Sequence, residues 1–251
     1  MKDDYLKIAC LDTDAIIKMS MNSSSLLKKL VSIFSKCYLH ERVYQEIQWP
    51  EETVKKLDEL IDTGEIVLLT DKELLEKIEI KEFYLDSLKQ VCNIFGVNYY
   101  NKYYYELESL GVNKDFLEKV ANIDSELDDI GEIKTLHMIV LLRDIESKQI
   151  NYFISDDRRA RNSIVLNYGQ ALKEQKLKGI SVMGALYLLQ KKGLSKNKIL
   201  EYIEKLPFEE TKVYNLKQNL IKLSNLEIVE KLYQGQIKLI LDGNLMLDKE
   251  Y

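Results

Sequence analysis

Acidic side chains stand at four places along the chain where carboxylates can do chemistry. Asp12 and Asp14 follow the apolar run LKIACL, and Asp156 and Asp157 follow YFIS at 152–155. Glu132 opens the apolar stretch that begins at Ile130, and Glu46 lies in the segment 41–48, with Val43 and Ile47 on one helical face. Gathered carboxylates repel one another, so such a set is costly until a hard divalent cation joins it, and oxygen donors suit Mg²⁺ or Mn²⁺ rather than zinc. Thiol chemistry has no comparable pattern: Cys10, Cys37 and Cys92 are odd in number, widely spaced and set among apolar residues, as small buried hydrophobes are.

Each acid also has an ordinary structural explanation. Asp at a strand-to-helix junction is a favoured N-cap, which accounts for Asp12 and Asp156 taken singly. Asp129-Ile130-Gly131-Glu132 has the spacing of a capping box, with the glutamate reaching back to the cap residue. Glu46 alone would be a solvated helix residue. His137, five residues after Glu132 with no His or Cys nearby, reads as a polar or partly buried helical residue, and His40 as a strand end without a role.

The elements that must position these acids alternate. Leu6–Leu11, CYLH at 37–40, 66–70 and 152–155 have the short, nearly continuous apolar character of strands covered on both faces of a parallel sheet. Helical spacing fills the intervals: from about Ala15, over 25–34, 41–48 and 51–62, from 130 to 143, from Arg158, and within GISVMGALYLLQKKG. Gly64 and Gly193 stop helices, and Ser195 caps another through Glu204. From 71 to about 127 the alternation lapses into a mostly helical pattern. Beyond Pro207 the chain is rich in Lys, Asn and Leu, without a motif.

Four segments in this order, LDTDAII at 11–17, RVYQEI at 42–47, DDIGEIKTLHMIVLL at 128–142 and YFISDDRRARNSI at 152–164, resemble the PIN-domain family of nucleases. The similarity is to its prokaryotic branch with a Gly-Glu helix start and an Asp-Asp-Arg turn, often toxin-like; KGISVMGALYLLQKKGL at 178–194 resembles that branch's closing segment. The likeness spans roughly residues 5–194 and leaves 71–127 unmatched. It implies an α/β fold, a PIN-like three-layer sandwich around a central, mostly parallel sheet. The PIN-like domain would cover 1–206 with a helical insertion at about 71–127, followed by a helical C-terminal extension over 207–251.

The resemblance further implies metal-binding catalytic acids at Asp12, Glu46, Glu132 and Asp156, with Asp157 as an alternate or supporting ligand. Asp14 departs from it, at a position where the family usually has a small polar residue. The implied activity is that of an endoribonuclease hydrolysing single-stranded or loop RNA with Mg²⁺ or Mn²⁺, of toxin or defence type, restrained by an inhibitory or antitoxin protein. A noncatalytic interaction module and a structure-specific DNA nuclease are the alternatives; a homo-oligomer stays open.

A net charge of -5 argues against coating of nucleic acid by the whole surface, so any such site is a local patch. Arg158, Arg159 and Arg161, next to Asp157, are candidates for holding the substrate backbone; the alternative is a solvated helix face. Lys173, Lys176, Lys178, Lys191 and Lys192 could extend the patch, and Tyr99, Tyr100, Tyr103, Tyr104 and Tyr105 could stack bases, but the preferred readings are a generally Lys-rich surface for the former and packing of the insertion or a partner-protein interface for the latter. With no apolar run of about 18 residues and no charged-then-apolar start in MKDDYLKIAC, neither export nor membrane insertion is expected, and the expected compartment is the cytoplasm.

Overall fold

The computed structural model describes residues 6–78, 81–97, 106–110, 114–125, 127, 129–171, 177–240 and 243–248. The first part runs β1 (Leu6–Leu11), α1 (Thr13–Ser20), α2 (Leu26–Val31), β2 (Phe34–His40), α3 (Glu41–Glu46), α4 (Glu51–Asp62) and β3 (Ile66–Leu69). Three further helices follow, α5 (Asp71–Glu76), α6 (Lys81–Ile94) and α7 (Lys114–Asp124), and then α8 (Ile130–Glu146), β4 (Ile150–Ile154) and α9 (Arg158–Ala171). The chain continues through β5 (Lys178–Ile180), α10 (Val182–Lys191), α11 (Lys196–Ile203), β6 (Glu210–Tyr214), β7 (Leu220–Ser224), α12 (Asn225–Tyr233), β8 (Ile237–Leu239) and β9 (Leu245–Leu247).

Strands β1 to β5 form one parallel sheet in the order β3-β2-β1-β4-β5. Successive side chains on a strand point to opposite faces, and both faces here are covered. Ala9, Leu11, Cys37, Leu39 and Ile154 enter one core, with Ile16, Met19, Leu30, Leu57, Leu186 and Ile199 from α1, α2, α4, α10 and α11. Cys10, Tyr38 and Phe153 enter the other, with Leu74, Leu88, Phe116, Leu136 and Ile164 from α5 to α9. The result is an α/β fold of three layers, and it explains why the strands read as short apolar runs rather than as polar and apolar alternation. The described part of the segment 71–127 is helical, and its helices are part of the second outer layer. Between them and the sheet, α8 is buried almost all round, including Lys134, Thr135 and His137.

The strand order reverses at β1. From there β2 and β3 lie to one side while β4 and β5 lie to the other, and in open α/β sheets ligands bind outside the carboxyl ends of the strands at such a point. Cys10 and Leu11 pair with Phe153 and Ile154, so the residues after β1 and β4 emerge side by side.

Three sequence readings need correction. Residues after Pro207 do not form a helical extension: β6 to β9 make a second sheet in the order β7-β6-β9-β8, with α12 as its one described helix. Val213, Ile228, Val229, Leu232, Leu245 and Leu247 share the first core, so this sheet is packed onto the larger one. Gly243, at φ +96°, lies against β5, where a Cβ would stand 2.5 Å from the Gly179 carbonyl oxygen. In addition, the start of the last apolar stretch is a three-residue edge strand, β5, and α8 runs to Glu146, which leaves only 147–149 as loop before β4. Among the described residues no helix is long and apolar enough to cross a membrane.

Candidate functional site

The pairing of β1 with β4 carries on past the strands, because the Asp12 backbone N–H donates to the Ile154 carbonyl at 3.0 Å. Asp12 therefore stands beside Ser155, whose hydroxyl lies 3.4 Å from both Asp14 Oδ1 and the Asp157 carbonyl oxygen. Glu46 ends α3, which buried Val43 anchors; its carboxylate accepts the Thr13 hydroxyl and lies over the first turn of α8. Gly131 makes this approach possible, since a Cβ there would meet Glu46 Oε1 at 2.6 Å. Glu132 is the next residue. Three chain segments thus deliver Asp12, Glu46 and Glu132 to the crevice at the sheet's switch point.

Burial, helped by the charges of Asp14 and Glu132 and opposed by the polar groups of Ser155 and Thr13 nearby, pushes Asp12 up to about 7. Glu132 is also raised, first by burial and then by Asp129, Glu46 and Asp157. Among the described residues no Lys, Arg or His lies within ion-pair distance of Asp12, Glu46 or Glu132. Nor do any three of the crevice acids bring oxygens within 4.8 Å of one another. The capping explanations do not apply: Asp12 makes no side-chain cap on α1, and Asp129, at φ +55°, makes none on α8.

Asp156 and Asp157 are differently placed. Asp156 Oδ2 accepts Lys18 Nζ at 2.8 Å and its Oδ1 the Val182 N–H at 3.2 Å. Asp157 does cap its helix, with Oδ1 accepting the N–H groups of Arg159 at 2.6 Å and Ala160 at 3.4 Å. Asp14 links the two turns, since its Oδ1 accepts the Asp156 N–H at 2.9 Å. Of the three arginines, Arg159 is exposed and Arg161 is buried, donating to the Ser155 carbonyl at 2.6 Å. Arg158 reaches the Tyr214 hydroxyl. Thr13, Lys18 and Ser155 were not foreseen. Their neighbours in sequence announced them only through the acids they touch, and the Lys18 partner is 138 residues away. The tyrosine cluster 99–105, Lys173 and Lys176 lie outside the described residues.

No protein-family model, no curated protein and no solved structure matches this chain.

A second acidic group lies close by and is built otherwise. Lys134, two residues after Glu132 and fully buried, stands 2.9 Å from Asp71 Oδ2 and 3.0 Å from Asp124 Oδ2. Arg42 reaches Asp124 at 3.2 Å, and the Tyr84 hydroxyl donates to Asp71. Burial works against ionisation of Asp71, but Lys134, His40 and Tyr84 hold it well below the usual carboxylate range. His40, Glu41 and Asp71 bring one ligand atom each within 4.8 Å of one another. Two of their atoms are engaged, Glu41 Oε1 accepting the Asp71 N–H at 2.7 Å and His40 Nδ1 the Arg42 N–H at 3.1 Å, while His40 Nε2 faces Asp71 Oδ1 at 3.4 Å. His137 is wholly buried, its Nε2 2.9 Å from the Ser87 hydroxyl, and burial followed by the Lys134 charge lowers it to about 3, so it is neutral.

Proposed function

We propose that this chain is a PIN-like, metal-dependent nuclease that hydrolyses phosphodiester bonds within RNA. The observation that carries the reading is the trio Asp12, Glu46 and Glu132 at the switch point, with no cation among the described residues beside them. A buried carboxyl raised to about 7 costs stability at neutral pH, and the cation that would offset this cost is not supplied by the described residues. The donors fit Mg²⁺ or Mn²⁺, being oxygens only.

Asp12, Glu46 and Glu132 would hold the ion. Asp157 is the better fourth residue than Asp156, because capping uses its Oδ1 whereas both oxygens of Asp156 are committed to Lys18 and Val182. Such an ion supplies Lewis acidity, lowering the pKa of a bound water and offsetting charge on the phosphoryl oxygens. The chain orients the donors: the bond from the Asp12 N–H to the Ile154 carbonyl fixes where Asp12 leaves β1, and the Thr13 hydroxyl holds Glu46. Glu132 is raised by burial and by the neighbouring acids, a cost that a bound cation would offset. Arg158, in the first turn of α9, is placed to hold the backbone phosphate.

Labelled single-stranded RNA and matched DNA, incubated with the wild type and with Asp12→Asn in Mg²⁺, Mn²⁺ or EDTA, test this. Cutting of RNA that needs the metal and falls at least about a hundredfold in the variant is expected. Cutting that survives EDTA or the substitution overturns the reading, and DNA cut while RNA stays intact reassigns the substrate.

A further inference from the structure

The second sheet turns one face inward, and its other face lines a cleft that Asp156 borders. On β6, Val213 is buried, while Glu210, Lys212 and Tyr214 take the opposite side. The register continues that side through Leu220 and Lys222 on β7, Met246 on β9 and Lys238 on β8. Arg158 bridges to it: the guanidinium donates to the Tyr214 hydroxyl and lies 5.5 Å from the ring centre.

A cleft lies on either side of that bridge. One, of about 520 Å³, has Lys18, Asp156, Arg158, Arg161, Phe208 and Lys212 among its walls; the other, of about 640 Å³, has Lys178, Tyr214, Lys238 and Met246. Their linings carry six cationic residues against two acids, Asp156 and Glu210, on a chain whose net charge is -5. The first begins at Asp156, beside the metal-binding acids.

Two observations call for an anion there. Arg161 is only 8% exposed, yet its Nε has no hydrogen-bond acceptor, and the buried Nε of Arg158 has none either. A buried guanidinium N–H is seldom left unpaired. Lys212 also stands directly opposite Lys222 across β6 and β7, a like-charge pairing that sheets disfavour. Lys222 reaches Glu210 at 3.0 Å, and Lys212 has no acidic partner among the described residues.

We propose that the C-terminal sheet is the second wall of a substrate path, in which Lys212 and Lys178, on opposite sides of Arg158, hold backbone phosphates of single-stranded RNA leading to the acids. The proposal rests on the nuclease reading.

The test is fluorescence anisotropy of labelled oligouridylate with the full chain in EDTA, so that binding is read without cutting. The Lys178→Glu/Lys212→Glu variant is compared with Lys28→Glu/Lys29→Glu, a charge-matched change of exposed residues on α2 outside both clefts. Affinity is expected to fall at least tenfold in the cleft variant and less than threefold in the control. The slope of log affinity against log salt should shrink by about 1.4 for two lost phosphate contacts. Lys212→Glu alone, at an exposed position that the fold does not depend on, should weaken binding about threefold. Equal losses in the two double variants, unchanged affinity in the cleft variants, or no binding by the wild type overturn the proposal. Metal-dependent cutting of a trinucleotide, too short to lie along the path, reports on the acids alone. If it persists while cleft substitutions leave oligouridylate binding unchanged, the path fails and the nuclease reading stands.

Discussion

Helix α8 carries one residue from each of two acidic groups, and the two groups are built in opposite ways. Glu132 belongs to the crevice set, where the pKa values of Asp12 and Glu132 are raised and no basic side chain among the described residues lies in reach. Lys134 belongs to the buried set, where two carboxylates, Asp71 and Asp124, meet two cations, Lys134 and Arg42, with Tyr84 completing the contacts. That second set joins α5, α6 and α7 to α3 and α8, the helices that carry Glu46 and Glu132. The difference teaches how to sort buried acids. Where the chain supplies its own cations the acid serves the fold, and where the described residues supply none the acid is a candidate for a ligand from outside.

Removing one charge from each set should have opposite consequences for stability. Asp71→Asn leaves Lys134 facing a weakened partner in a dry site, and breaking a buried pair in this way costs about 3–5 kcal/mol. Urea unfolding would read it as a lower midpoint at unchanged slope. The folded-state pKa of Asp71 is depressed, so its contribution is present above the unfolded value, about 4, and is lost as pH falls through the folded one. The cost of Asp71→Asn should therefore be full at pH 7 and shrink in acid.

Asp12→Asn should do the reverse. The folded pKa of Asp12 is raised, so the folded state binds the extra proton and stability declines as pH rises from about 4 to about 7. In EDTA at pH 8 the neutral amide should stabilise the fold by about 2–4 kcal/mol, and at pH 4 the difference should vanish. Mg²⁺ or Mn²⁺ should raise the melting temperature of the wild type at pH 8 and leave that of the variant unmoved. Destabilisation by Asp12→Asn at pH 8 would put Asp12 in the same structural class as Asp71 and erase the distinction.

The acids and their strands were legible because the signal is local: an apolar run ends, an acid follows, and a helix begins. Their sorting was not. Asp12 and Asp157 each precede a helix, yet only Asp157 caps one, and Asp156 beside it is held instead by Lys18, a contact made through the fold. The buried Lys134 was unreadable for the same reason, since a lysine in IGEIKTLHM announces a solvated face until Asp71 and Asp124 are known to meet it. The C-terminal sheet was missed because its strands are three to five residues long and one face lines a cleft. Lys212 and Lys222 interrupt the apolar pattern that a covered strand would show. Helices α6 and α7 were read as helical because a period of 3.6 repeats over 11–14 residues is hard to mistake.

The finest probe of the crevice is Gly131→Ala. A Cβ at this position would sit 2.6 Å from Glu46 Oε1, the free end of a flexible side chain, so the fold can yield by turning Glu46 aside. Alanine also favours the helix by up to about 1 kcal/mol over glycine, and net stability should stay within about 1 kcal/mol of the wild type. Glu46 cannot turn aside and keep its hydrogen bond from Thr13, so the carboxylate leaves the position from which it would share a cation with Asp12 and Glu132. Metal-dependent cutting should fall about tenfold, with a higher Mn²⁺ concentration needed for half-maximal rate, because supporting contacts at a metal site are worth about 10–100-fold. A variant that melts like the wild type and cuts like it would show that Glu46 is a bystander at the mouth of the crevice. One that melts normally and cuts poorly separates the site from the fold, since the substitution removes no ion pair and opens no cavity.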